Sequence, residues 1–162
     1  MTRAIGLLLC LALLAGCGAT PPTQDELAKE FSANRQSYET LKDMALSDKL
    51  FAVALRGKKF AREPYIFEDP AVVGIPASRA EEYRRLMLAA DVQRVDVTED
   101  GNVLISMASW GMANRGWRVS AMWRSTPPES VLPSLDAFKK TSGDWQSGYS
   151  HAAEHWYFRI VW

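Results

Sequence analysis

The chain's two histidines fall in one short segment, His151-Ala152-Ala153-Glu154-His155. On a helix, imidazoles at i and i+4 share a face and can grip Zn²⁺, while a glutamate between them polarises a bound water for hydrolysis. The sequence context is wrong for a helix. Gly148-Tyr149-Ser150 precedes the segment, and an apolar pattern of period two begins at His155 itself. The segment reads as a turn into a last strand, and no metal is assigned to it. A Ser-His-acid triad would have to borrow one of the same two histidines, and the chain holds no G-x-S-x-G elbow. Glycine-rich phosphate loops are missing as well. Glu99-Asp100 lies in a turn signal, where solvation explains the paired carboxylates. Asp136 and Asp144 have nothing in the sequence to place them in a cleft. No catalytic residue and no cofactor are assigned.

Tryptophan is the other residue type that stands out. All six lie between Trp110 and Trp162. Most are expected in a sheet core, because Trp suits pleated, half-buried surfaces. Trp110 and Trp145 sit at strand or loop ends, with Arg115 and Arg118 beside the first. These four are the candidates for contact with a sugar, a lipid or a protein partner.

What would position such a surface begins with the first residues. Arg3 precedes the apolar run Ile5–Leu14, and Ala15-Gly16 are small, as in a cleavable signal peptide. The run is too short for a hydrocarbon core, which takes about 20 apolar residues. Leu14-Ala15-Gly16-Cys17 resembles the lipobox of bacterial lipoproteins. That resemblance implies diacylglycerol on the Cys17 thiol, cleavage before Cys17 and acylation of the new amine. Gly18, rather than Asp, follows the cysteine, which by the same resemblance implies the inner leaflet of an outer membrane. Residues 1–16 are then a signal peptide and residues 17–22 a lipidated cysteine with a short tether. Gly18–Pro22 reaches at most ~17 Å when extended, and Pro21-Pro22 stiffens it. Residues 23–162 form one domain facing the periplasm, long enough to bury a core.

The chain has 19 Lys+Arg and 19 Asp+Glu. That balance offers no electrostatic footprint for nucleic acid and no polybasic membrane patch, so the membrane link rests on lipid. Both cysteines are accounted for: Cys10 leaves with the signal peptide and Cys17 carries lipid. The domain therefore has no disulfide and stands on its core alone.

Thr23–Ala45 is expected to be a helix. Thr23 and Glu26 form a capping box, and Leu27, Phe31, Tyr38, Leu41 and Ala45 share a face at helical spacing. Asp48–Leu55 is readable as helix or buried strand. Tyr65–Phe67 suggests a short strand. Ser78 and Glu81 form a second capping-box pattern, opening a helix to about Ala90. From Val92 the period changes to two: a strand over 93–98, the hairpin signal Asp100-Gly101, and a return strand over 103–110. Trp117, Val119, Ala121 and Trp123 then alternate with Arg118, Ser120, Met122 and Arg124. Thr126–Gly148 reads as a long loop with a helical turn near 134–139. In the last strand Trp156, Phe158, Ile160 and Trp162 share one face, and His155, Tyr157, Arg159 and Val161 the other. The expected class is α+β, a four- to five-stranded mostly antiparallel sheet with two amphipathic helices packed on one face.

The function read from these features is a membrane-anchored envelope lipoprotein that binds, inhibits or assists a protein or cell-wall partner without catalysis. The alternatives are an envelope hydrolase built on His151, Glu154 and His155, and a purely structural lipoprotein.

Overall fold

The computed structural model describes residues 20–55, 59–64, 66–112, 115–138 and 146–162. They form helix α1 (Gln24–Ser47), strands β1 (Ala52–Ala54), β2 (Lys59–Glu63) and β3 (Ile66–Glu68), and helix α2 (Ala77–Ala89). Strands β4 (Arg94–Val97), β5 (Val103–Met112) and β6 (Arg115–Trp123) follow. A 3-10 turn (Leu135–Ala137) then leads to β7 (Ser147–Ala153) and β8 (Trp156–Val161). None of the described helices is long and apolar enough to cross a membrane.

The class is α+β, but the expected four or five strands are corrected to one eight-stranded sheet, ordered β3-β2-β1-β4-β5-β6-β8-β7. Every pairing between named strands is antiparallel. Of β1–β3, each three to five residues long, β3 overlaps the strand expected at 65–67 (Tyr65 lies outside the described residues) and β1 falls in the run left open at 48–55; β2 and β7 are the additions. Strands that short carry too few alternations to register as period two. The ambiguous run 48–55 divides: α1 ends at Ser47, Lys49 takes a positive φ of 53°, and β1 starts at Ala52.

Thr23 caps α1 as its sequence pattern requires. Its hydroxyl accepts from the Glu26 N–H at 3.3 Å, and the Glu26 carboxylate accepts from the Thr23 N–H at 2.8 Å. The Thr23 N–H, and then the Thr23 hydroxyl at 2.9 Å, donate to the Glu26 carboxylate and hold it below its ordinary range. The second capping box does not form. Pro76 occupies the N-cap position without a side-chain bond, so Ser78 falls inside the first turn and cannot cap. Glu81 instead clamps Arg84 at 2.8 Å.

Both helices cover one face of the sheet. Phe60, Val53, Val95, Ile105, Ala121 and Phe158 pair in register across six strands and are all buried. Phe31 of α1 meets Trp156 and Phe158 at 5.5 and 5.8 Å between ring centroids. Tyr83 of α2 meets Phe60 at 5.5 Å. Trp156 is fully buried and keeps its polar atom satisfied by donating from Nε1 to Glu39 at 2.8 Å. The end of α1 is latched to α2 at Asp48, which accepts from Arg79 at 2.8 Å and from the Tyr83 hydroxyl at 2.9 Å. Burial, then the Asp48 bond, push the Tyr83 phenol well above its ordinary range.

The start of α1 is fastened to the opposite edge of the sheet. Gln24 Oε1 accepts from the Ser150 hydroxyl at 2.7 Å and from the Leu135 N–H at 3.2 Å. The Gln24 N–H donates to Asp136 at 2.9 Å. One residue thus joins α1, the 3-10 turn and β7. Beyond β7, Leu132 makes a single parallel bridge to Ser150.

Candidate functional site

Strand side chains alternate between faces, so the residues flanking the buried row point away from the helices. They form three further rows. Asp96, Leu104, Met122, Tyr157 and His151 are paired in one; Ser106, Ser120, Arg159 and Tyr149 in the next; Ser109, Arg118, Val161 and Ser147 in the third. The last row depends on a β-bulge in β5 between Ser106 and Ala108. The extra residue, Met107, shifts the register so that Ser109 rather than Ala108 stands opposite Arg118. Without it a polar side chain would turn to the core face.

Part of these rows lines a cleft of about 420 Å³. Asp96, Ser106, Ser109, Arg118, Ser120 and Arg159 supply its polar lining, and Trp110 and Trp117 lie at its end. Asp96 is already neutralised by Arg94, whose Nε donates to both carboxylate oxygens at 2.7 and 2.8 Å. Arg94 also lies over the Phe67 ring at 5.0 Å. Arg118 and Arg159 differ: no ion pair among the described residues includes either of them, nor the nearby Arg124. Arg124 and Arg159 each lie 6.0 Å from the Tyr149 ring centroid. Among the described residues, the Nε atoms of both are buried without a hydrogen-bond partner. The cleft therefore carries a surplus of guanidinium donors, whose planar fork suits carboxylate and phosphate oxygens.

Of the four contact candidates read from the sequence, Trp110 and Arg118 line this cleft. Trp110 is 43 % exposed. It pairs with Trp117 and so belongs to the helix side of the sheet, beyond the helices' cover. Arg115 opens β6 opposite Met112, and only its backbone is described. Trp145 and Cys17 lie outside the described residues. The hairpin end is built on Gly111 and Gly116, which face each other with φ of 107° and 143°. A Cβ at Gly116 would stand 1.9 Å from the Trp110 carbonyl oxygen.

Sequence reasoning missed Arg159, Asp96 and the three serines as site residues. Their signal was present: Arg118, Ser120, Met122 and Arg124 alternate in one strand, and Tyr157, Arg159 and Val161 in another. What brings them together is the β6–β8 pairing.

His151, Glu154 and His155 do not share a helix face. His151 sits in β7 against Tyr157, with ring centroids 5.7 Å apart. Glu154 and His155 make the turn before β8, where His155 takes a φ of 60°. Among the described residues, no three His, Cys, Asp or Glu side chains come together at metal-binding range.

A second pocket, of about 280 Å³, lies between α2 and β1–β2 and is walled mostly by apolar residues such as Val53, Phe60, Ile75, Tyr83 and Met87. Its rim charges are already paired, Lys59 with Asp69 at 2.8 Å and Arg84 with Glu81. Among the described residues no unsatisfied rim charge is left there to orient a ligand, which makes the arginine cleft the stronger site. Compared with known proteins, the chain matches no family model, no curated protein and no solved structure.

Proposed function

We propose that this chain is a lipid-anchored protein of a bacterial envelope, held through Cys17, that binds its partner without catalysis on the helix-free face of its sheet. The observation that carries the binding surface is the cleft in which Arg118 and Arg159 have no ion-pair partner among the described residues. Arginine is among the residue types that dominate binding hot spots. The anchor rests on Leu14-Ala15-Gly16-Cys17. Two or three acyl chains on one cysteine hold a protein stably, because each buried CH₂ contributes about 0.8 kcal/mol and one chain alone binds only marginally.

Two measurements test the two halves. Fractionation and intact mass should find the wild-type chain in membranes with added lipid mass, and Cys17→Ala without it. A wild-type chain lacking lipid mass refutes the anchor. For the surface, a photoreactive side chain at Ser109 should crosslink a specific partner in intact cells, whereas one at Gln36 on the exposed side of α1 should not. Equal crosslinking from both positions refutes the assignment of the face.

A further inference from the structure

The chemistry of the cleft narrows what it holds. Among the described residues its charged lining consists of Arg118, Arg159 and Asp96, whose charge the neighbouring Arg94 cancels. Arg118 stands opposite Val161, two residues from Arg159. The two guanidinium side chains are thus diagonal neighbours on one face, about 7–8 Å apart at the backbone by ordinary sheet geometry. That separation lets both reach a single oxyanion. Ser106, Ser109 and Ser120 stand on the same face. Each hydroxyl donates one hydrogen bond and accepts others, which suits a ligand rich in hydroxyls rather than an apolar one. The volume, about 420 Å³, lies in the range of small-molecule sites, roughly 300–1,000 Å³.

Resting on the reading of this face as the binding surface, we infer that the cleft takes an acidic saccharide, a sugar unit bearing a carboxylate or a phosphate. Arg118 and Arg159 hold the charged group. The three serines bond to ring hydroxyls. Carboxylate and phosphate share the chemistry that the guanidinium forks recognise, and the probe sugars distinguish them.

The test is a titration of the full chain, purified in detergent micelles and labelled with ¹⁵N, followed through the Nε–H signals of its arginines. The probes are N-acetylmuramic acid for the carboxylate, N-acetylglucosamine 6-phosphate for the phosphate and neutral N-acetylglucosamine as the control. Arg118 and Arg159 signals should move saturably with at least one acidic sugar, and at least tenfold more sugar should be needed for the neutral one. Arg118→Ala should weaken the acidic interaction at least tenfold while leaving thermal unfolding unchanged, since the residue is exposed. Ser109→Trp, which fills the cleft from an exposed position, should abolish it. Equal response to the neutral sugar, no response to either acidic sugar, or an unchanged affinity in Arg118→Ala overturns the inference. If Ser109 crosslinks a protein in cells and neither acidic sugar binds, the inference fails while the binding face stands. If Ser109 crosslinks no more than Gln36 while an acidic sugar binds at Arg118, the inference stands and the macromolecular partner fails.

Discussion

Replacing Gln24 by Ala isolates the fastening of α1 to the sheet. The side chain accepts two hydrogen bonds, from the Ser150 hydroxyl at 2.7 Å and from the Leu135 N–H at 3.2 Å. Ser150 is 0 % exposed, so water cannot replace its partner without opening the packing. A buried group left unpaired costs about 1–3 kcal/mol. The Leu135 N–H is only part-buried and recovers some of its loss from solvent. The expected destabilisation is about 2 kcal/mol, the middle of that range. For a chain of this size it lowers the melting temperature by about 4–8 °C. In urea, with a slope near 2 kcal/mol/M, the midpoint falls by about 1 M at constant slope. The bond from the Gln24 N–H to Asp136 belongs to the backbone and survives. The decisive measurement is a double-mutant cycle. In wild type, Ser150→Ala should destabilise. In the Gln24→Ala background it removes the orphaned hydroxyl and should be neutral or stabilising. A Gln24→Ala loss below about 0.5 kcal/mol, inside the range of ordinary surface substitutions, refutes the clamp. So does a Ser150→Ala loss of the same size in both backgrounds.

Three other outcomes follow from named contacts. Gly116→Ala forces a side chain into a φ of 143° and against the Trp110 carbonyl; it should cost about 1–3 kcal/mol in thermal unfolding and disturb the Trp110 end of the cleft. Phe31→Ala removes the ring that α1 lays against Trp156 and Phe158 and should cost about 3–5 kcal/mol, read from the urea midpoint. For Glu39, burial raises the carboxyl pKa, but the bonds from Lys42 and Trp156 outweigh it and hold the carboxyl below its ordinary range. The folded pKa is therefore depressed, so this contribution is complete above the unfolded carboxylate range and is lost as pH falls through the folded value. Trp156→Phe, which lacks the donor, should flatten the acid limb of the stability profile; an unchanged limb refutes the coupling.

Much of this fold is visible in residue order, and the exceptions have physical causes. The start of α1 is legible because a capping box is a local pattern, complete within Thr23–Glu26. The β4–β5 turn is legible because Gly101 takes the positive φ that Asp-Gly signals. Strand β7 is not legible, because what it buries is neither large nor apolar. Gly148 is buried under the Phe138 ring, so closely that a Cβ there would meet it at 2.6 Å. Ser150 is buried under Gln24. Neither partner lies in β7, and Gln24 is 126 residues from Ser150, so hydropathy along β7 carries no trace of them. The cleft is half legible in the same sense. Each arginine-bearing face appears as an alternation, but the pairing that sets Arg118 diagonal to Arg159 is non-local, and the bulge at Met107 has no local signature.

The two edges of the sheet decide how the molecule can meet others. Exposed strand edges invite pairing with a second chain, and natural sheets blunt them. Here β3 is three residues long and its register with β2 is broken. At the other side, the bridge from Leu132 to Ser150 and the Leu132 N–H bond to Tyr149 occupy part of β7's outer backbone. Neither border offers a long, regular ladder for an added strand. Recruitment by strand addition, and runaway self-association along the ladder, are both disfavoured by construction. On the anchor proposed above, crowded beside identical copies, the chain would keep its sheet closed to them and present a broad side to a partner.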